Sequence, residues 1–358
     1  MKRDELEKLL TENIPDLEEK DLWIWGAGNT ACLYQEGLDR IGFSDKIVGY
    51  IDSDRAKWEI QGEFYGKPII CPNALKKYTD ICVLICSWQA NIINEIKREL
   101  IEMNVEAYFI DEVILKCYHE DVLKCYDLLC DDASKNIYAE LIKSHLRGEY
   151  PDRNIALFGD QYFMWDRLTY KDIGETFVDC GAYVGDTIEK YIWYKDGVFK
   201  QIIGIEPDVL NFSALEQRKK RLCAEWNIEE SAIQIINCGV ADQEKTCGFV
   251  RNVNGLGSRI IEDESDGMKT EIITLDDYLK EPYSFLKADI ESFEYKMLLG
   301  AKNGIRLWKP CLAICIYHNA IDLFSIVPLI HSFVPEYRIA IRHHRKDFSE
   351  TILYAWIE

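Results

Sequence analysis

Apolar residues along the chain fall into short runs that end at glycine or a carboxylate, and stretches of helical period separate them. Leu22-Trp-Ile-Trp25 enters a Gly26-Ala-Gly28 turn, and Ile47 to Ile51 ends in Asp52. Ile81 to Cys86 and Ala107 to Ile110 are two further runs of the same kind. Between them the period is helical: Met1 to Glu19, with Leu6, Leu9 and Leu10 on one face, the stretch opening at Gly28, and Ala90 to Met103. Gly62 to Pro72 reads as a turn region. Buried strands alternating with helices predict a small Rossmann-like α/β domain over residues 1–112. A helical linker is expected over 113–149, with Leu115, Tyr118, Val122, Tyr126 and Leu129, then Ile137, Leu141 and Ile142, on its apolar faces.

Tyr150-Pro-Asp-Arg153 opens a third region, 150–358, where the alternation resumes. Strands are expected at Ile155 to Phe158, at Thr176 to Asp179, at Gln201 to Glu206, at Ile233 to Asn237, at Phe285 to Glu291 and at Cys311 to Tyr317. Helices are expected from Asp186, over Asn211 to Trp226, over Ser292 to Gly300 and over Ile321 to Phe333. Thr246 to Asn252 and Lys269 to Ile273 read as an antiparallel excursion around the Gly255-Leu-Gly-Ser258 loop. Tyr337 to Ile341 and Thr351 to Ile357 read as an antiparallel pair that closes the sheet, with Arg342-His-His344 in the turn between them. The fold class is α/β: a mainly parallel sheet with an antiparallel last strand, preceded by the smaller Rossmann-like domain.

The chemistry concentrates in Thr176-Phe-Val-Asp-Cys-Gly-Ala-Tyr-Val-Gly-Asp-Thr187. A strand that runs into a glycine-rich turn and a helix N-terminus makes a nucleotide site in an α/β sheet. Asp179, Gly181, Ala182, Tyr183, Gly185, Asp186 and Thr187 are the candidate binding residues. A negative charge at Asp179 suits a cationic amino group and suits a pyrophosphate poorly, so the site points to S-adenosylmethionine rather than NAD. Glu206, before Pro207 at the end of the next strand, is placed to accept both ribose hydroxyl protons; the alternative is that it caps the following helix. Cys238 and Gly239, after the third strand, are placed against the adenine. In the first domain the corresponding expectation is phosphate at Gly26 and Gly28 and ribose on Asp52. Leu33 stands where a third glycine would complete the fingerprint, and a degenerate fold used for docking is the other reading.

Composition narrows the partners. The 358 residues carry a formal net charge of −20, which opposes nucleic acid and anionic lipid as ligands. No apolar run is long enough to span a bilayer, and the charged first residues are unlike a secretory signal, so a cytoplasmic protein is expected. None of the 13 cysteines forms a Cys-x-x-Cys pair, and several lie in apolar strands, as reduced core thiols do. His119 and His145 read as surface or packing residues, and His343 and His344, flanked by Arg342 and Arg345, as part of a solvated basic turn.

From Thr176 onward the sequence resembles the FkbM family of S-adenosylmethionine-dependent methyltransferases. The matching residues, in family order, are Phe177 to Thr187, Ile205-Glu-Pro207, Thr274-Leu-Asp276, Leu286-Lys-Ala-Asp-Ile-Glu291, Leu298 to Ala301, Tyr317-His318 and Glu350 to Ala355. Ser292-Phe293 replace the Gly-Ala usual in that family between Glu291 and Glu294. The first domain resembles the nucleotide-binding-like domains attached to bacterial sugar-modifying enzymes, at Ile47 to Asp54 and Gly66 to Ile69. The resemblance implies a seven-stranded class I methyltransferase sheet and methylation at oxygen. A hydroxyl acceptor needs a general base as it attacks. His318 is the candidate, with Asp289 orienting it or acting itself, and Glu291 beside them; Asp289 also borders the cofactor. No metal is required in this reading, although Asp289, Glu291 and His318 are also a set that could hold a divalent ion. The expected partners are a small-molecule or glycan acceptor and a second copy of the chain. Two other readings are a nucleotide-sugar or NAD-dependent sugar-modifying enzyme working through the first domain, and a non-catalytic nucleotide-binding protein.

Overall fold

The computed structural model describes residues 1–157, 161–163, 174–250, 259–261 and 268–358. The first part carries β1 (Asp21–Trp25), β2 (Ile47–Ile51), β3 (Glu63–Phe64), β4 (Lys67–Ile70), β5 (Ile81–Ile85) and β6 (Glu106–Phe109). They form one sheet in the order β3-β4-β2-β1-β5-β6, parallel except for β3. Helices α1 (Arg3–Thr11), α2 (Asn29–Arg40) and α3 (Ala90–Glu102) belong to this unit, and α4 (Ile110–Cys117), α5 (His119–Leu128) and α6 (Asp132–Arg147) follow it.

The second part carries β7 (Thr176–Cys180), β8 (Gln201–Ile205), β9 (Ile233–Ile236), β10 (Gly239–Val240), β11 (Lys245–Val250), β12 (Arg259–Ile261), β13 (Met268–Ile273), β14 (Phe285–Ala288), β15 (Cys311–Cys315), β16 (Arg338–His343) and β17 (Thr351–Trp356). Its helices are α7 (Asp186–Tyr194), α8 (Val209–Trp226), α9 (Leu275–Tyr278), α10 (Glu294–Gly300), α11 (Lys302–Trp308) and α12 (Asp322–Phe333). Among the described residues a seven-stranded sheet runs β16-β17-β15-β14-β7-β8-β9. Only β17 is antiparallel to its neighbours, which is the expected closing strand. Strands β10 to β13 form a smaller sheet beside it, with β11 and β13 antiparallel as the sequence predicts.

Several boundaries differ for physical reasons. Helix α1 stops at Thr11, because Asn13 is left-handed and Pro15 cannot continue a helix. Gly62 to Pro72 holds the β3–β4 hairpin, whose strands are too short to show alternation. Arg153–Ile155 is a 3-10 turn, and Ala156 makes a single parallel bridge to His343. Phe158 and the Gly255 to Ser258 loop lie outside the described residues. The β14 strand ends at Ala288, and the chain turns at Glu291 and Ser292, with φ of 56° and 75°. Asp289 and Glu291 are therefore loop residues, not alternate positions of one strand.

The two sheet units share one continuous apolar core that runs from Leu6 to Ala355. Helix α5 packs on α12, and the rings of Tyr118 and Phe324 stack at 5.7 Å. Helix α2 lies on the loop after β15. Arg40 pairs with the buried Asp322 at 2.9 Å and covers the Tyr295 ring at 3.8 Å, and Asn319 Nδ2 donates to Leu33 O. Because β7, β8, β14 and β15 are parallel, their carboxyl ends, and the residues just beyond, share one edge.

Candidate active site

At that edge lies a cavity of about 390 Å³, within the ~300–1,000 Å³ typical of small-molecule sites. Among the sequence-predicted residues, Gly181, Tyr183, Asp186, Thr187, Glu206, Pro207, Cys238, Gly239, Asp289 and Glu291 line it. Asp179, Ala182, Gly185 and His318 stand behind the wall. Gln161, Tyr162, Asn211, Lys287, Tyr317, Arg345 and Glu350 also line it and carried no local signal of their own. Lys287, Tyr317 and Glu350 lie within family-matched segments, the one trace that could have found them.

The glycine-rich turn is built for close approach. Gly181 has φ of +76°, and a Cβ there would come within 1.9 Å of Asp289 O, so only glycine lets the two strand ends meet. Gly185, with φ of +84°, starts α7. Glu206 accepts from Tyr183 N and from Asp208 N, each at 2.9 Å. Helix α8 is capped by Asp208, which accepts from Leu210 N and Asn211 N, so Glu206 does not serve as the cap. Burial pushes the Glu206 carboxyl up to about 6, against the pull of those amides.

Asp179 departs from expectation. It is fully buried, and Lys287, its partner across β7 and β14, pairs with it at 3.0 Å. Lys287 also donates to Gly181 O at 2.8 Å. Burial raises the Asp179 carboxyl to about 6, and Lys287 counters only part of that. Its charge is therefore spent on a lysine that faces the cavity in its place. Asp179 fixes the turn through Lys287 rather than meeting a ligand.

His318 departs likewise. The ring is 1% exposed. Its Nε2 lies 3.3 Å from Asp289 Oδ1 and 3.8 Å from Glu291 Oε2, and its Nδ1 lies 3.2 Å from Glu294 Oε1. Burial alone would lower its pKa, but Glu294, Asp289 and Glu291 raise it well above the ordinary value. The three carboxylates favour the protonated ring, which weakens His318 as a general base. Asp289 is no better placed as a base. Burial raises its pKa, but His318, Lys287 and the Tyr162 hydroxyl outweigh that and hold the carboxyl well below the usual range. Tyr162 and Tyr317 donate to Asp289 at 3.0 and 3.2 Å.

The histidines expected in a solvated turn are buried. His343 is the last residue of β16 and bonds Thr351 Oγ1 through Nδ1 at 2.8 Å; burial lowers its pKa to about 4. His344 donates from Nδ1 to Leu157 O. Arg342 pairs with Asp131, and Arg345 reaches the cavity wall. His145, as expected, packs: it bonds the buried Asp111 at 2.6 Å.

In the first unit Asp52 accepts from Ala27 N at 2.9 Å, from Asp54 N at 2.9 Å and from Lys57 Nζ at 2.7 Å. Desolvation works against its charge, and those bonds overcome it and lower its pKa. Lys57 Nζ lies over the turn, 3.2 Å from where a Cβ on Gly28 would be. The acid expected to hold a ribose is thus engaged by its own turn.

The strand order, the single antiparallel strand and the ligand cavity at the carboxyl edge define a Rossmann-like methyltransferase fold. Residues 179–348 match the methyltransferase FkbM domain, which makes this half of the chain similar to the FkbM methyltransferases. The crystal structure of methyltransferase FkbM from Methylobacillus flagellatus KT shares the fold with a TM-score of 0.59 at 20% identity, over 99% of this chain and 98% of that one. An rRNA methylase from Streptococcus thermophilus aligns at 13% identity over 57% of this chain and 100% of its own, with a TM-score of 0.37. No curated protein matches the sequence.

Proposed function

We propose that the protein is an S-adenosylmethionine-dependent O-methyltransferase whose acceptor is a hydroxyl of a sugar, glycan or other small molecule. The observation that carries this reading is the acidic cavity at the strand ends. Glu206, which accepts from two backbone amides, lines it together with Asp289 and Glu291. Such a wall favours a cationic nucleoside and disfavours a pyrophosphate. The Gly181 turn, which a single Cβ would block, is the cradle the nucleoside needs.

Glu206 would accept the ribose hydroxyls, and Cys238 and Gly239 would border the adenine. Asp186, Thr187 and the Gly181 turn would take the amino-acid end, with Lys287 facing a carboxylate. When bound, the cofactor supplies a methyl group on a sulfonium. Tyr162, Tyr317, Gln161 and Arg345 give the rest of the wall the hydrogen-bonding character that suits a polyhydroxylated acceptor. Trp88 of the first unit stands 6.5 Å from the Tyr317 ring, an aromatic edge beside that wall. Glu350, raised by burial and by the charge of Asp289, is one wall carboxylate suited to take the acceptor proton, with Glu291 and Asp186 beside it in the lining. No helix among the described residues is long and apolar enough to cross a membrane.

The test is calorimetric titration with S-adenosylhomocysteine, NAD and a nucleotide sugar, followed by transfer of labelled methyl to a panel of hydroxylated acceptors. Saturable binding of S-adenosylhomocysteine alone supports the reading. Binding of NAD or a nucleotide sugar without it overturns the reading in favour of a sugar-modifying enzyme.

A further inference from the structure

Asp289, Glu294 and His318 each offer one ligand atom, and the three atoms lie within 4.8 Å of one another. We propose that they form a binding site for a divalent first-row cation at the floor of the cavity, with the Glu291 carboxylate beside it. The observation that points to a ligand is the condition of the buried atoms. Glu294 is fully buried, and its Oε2 has no hydrogen-bond partner. Both ring nitrogens of His318 are buried and lie close enough to carboxylates for ion pairing, yet neither makes a hydrogen bond. Buried polar atoms are satisfied in the great majority of cases. Glu294 Oε1 accepts from Ile290 N at 2.7 Å, so Oε2 and the ring nitrogens are the atoms a coordinated ion would satisfy.

The spacing agrees. The 3.3 Å from His318 Nε2 to Asp289 Oδ1 resembles the separation of donors that share an ion at ~2.0–2.2 Å, while Glu294 lies at 3.2 Å from the other ring nitrogen, Nδ1. One ring nitrogen would coordinate, and the carboxylate at the other would have to turn to reach the ion. The charge agrees too. Three carboxylates surround one ring, and the neighbouring Lys287 is committed to Asp179. Carboxylate oxygens with a single imidazole suit Mn²⁺, Fe²⁺ or Zn²⁺. The Tyr162 and Tyr317 hydroxyls on Asp289 would act as outer partners that fix a ligand's orientation. The Asp289 side chain is 24% exposed and lines the cavity, so an ion there would meet an acceptor oxygen. The site stands on its own geometry; only its use in methyl transfer rests on the function proposed above.

The test uses the full chain, stripped with chelator and titrated with Mn²⁺ alone, with free Mn²⁺ followed by electron paramagnetic resonance. One Mn²⁺ per chain is expected. Glu294→Gln and Asp289→Asn should each weaken binding by about tenfold or more, as loss of a ligand or its support does. Melting curves and S-adenosylhomocysteine titration show which variants are folded; Asp289→Asn, at the partly exposed end of the cluster, stands in if Glu294→Gln does not fold. Absence of saturable Mn²⁺ uptake, or uptake unchanged in a folded variant, overturns the site. S-adenosylhomocysteine binding without Mn²⁺ uptake would remove the ion and leave the methyltransferase reading intact, whereas Mn²⁺ uptake without S-adenosylhomocysteine binding would do the reverse.

Discussion

Lys287→Met removes the cation under the glycine-rich turn, and the structure sets the size of the effect. Lys287 is 2% exposed and Asp179 is 0% exposed, so the pair is shielded from solvent on both sides. Methionine leaves Asp179 buried without its 3.0 Å partner and Gly181 O without its donor. Breaking a buried pair on one side costs about 3–5 kcal/mol. Burial already raises the Asp179 carboxyl to about 6 with the lysine present, and removing the lysine raises it further. An acid whose pKa is higher folded than unfolded loses stability as pH rises through the folded value. The deficit, read from urea unfolding, should therefore be largest at pH 8 and shrink by pH 5.5, where Asp179 can be protonated. Adding Asp179→Asn removes the stranded charge, so the double variant should recover most of the loss and lose the pH dependence of the deficit. A deficit below ~1 kcal/mol at pH 8, or one that Asp179→Asn does not relieve, would refute the claim that Lys287 neutralises Asp179.

Glu206→Gln should weaken S-adenosylhomocysteine binding by roughly 10- to 150-fold, the equivalent of ~1.5–3 kcal/mol for a hydrogen bond to a charged group, by calorimetry at pH 7.5. With the Glu206 carboxyl at about 6, the wild type should bind about tenfold more weakly at pH 5 than at pH 7, and the Gln variant should lose that dependence. Gly181→Ala places a Cβ 1.9 Å from a backbone oxygen at a left-handed φ; loss of S-adenosylhomocysteine binding and a lower melting temperature are expected. Burial raises the carboxyls of Asp179, Glu206 and Asp322 to about 6 and that of Glu36 to about 7. The folded, ligand-free protein therefore holds more protons than the unfolded chain between about pH 4 and 7, and its melting temperature should be higher at pH 5.5 than at pH 7.5.

What the sequence revealed was local, and what it hid was contact between segments far apart in the chain. Thr176 to Thr187 reads as strand, turn and helix because its apolar run and glycines are contiguous, and Glu206 follows from its place at the next strand end. Lys287 is hidden: a lysine within an apolar run says nothing of the Asp179 that the parallel register sets beside it. The three carboxylates around His318 are hidden in the same way, because Asp289, Glu291 and Glu294 come from a loop and helix start that only the turn at Glu291 and Ser292 brings round to the end of β15. In α2, Gly37 looks like a helix weakener worth ~0.5–1 kcal/mol against alanine. Its reason lies in the other unit: a Cβ there would stand 2.6 Å from Ile321 Cδ1 and 3.3 Å from Asn319 Oδ1. Asn319 Nδ2 in turn bonds Leu33 O, Asp322 and Ser292 Oγ. The side chain at 292, where the sequence departs from the FkbM pattern it resembles, is thus part of the joint between units. With Asp52 engaged by Lys57, the glycine-rich turn of the first sheet offers no open acid, while α2 meets the loop that carries Tyr317 and His318. On these contacts the first unit packs against that loop.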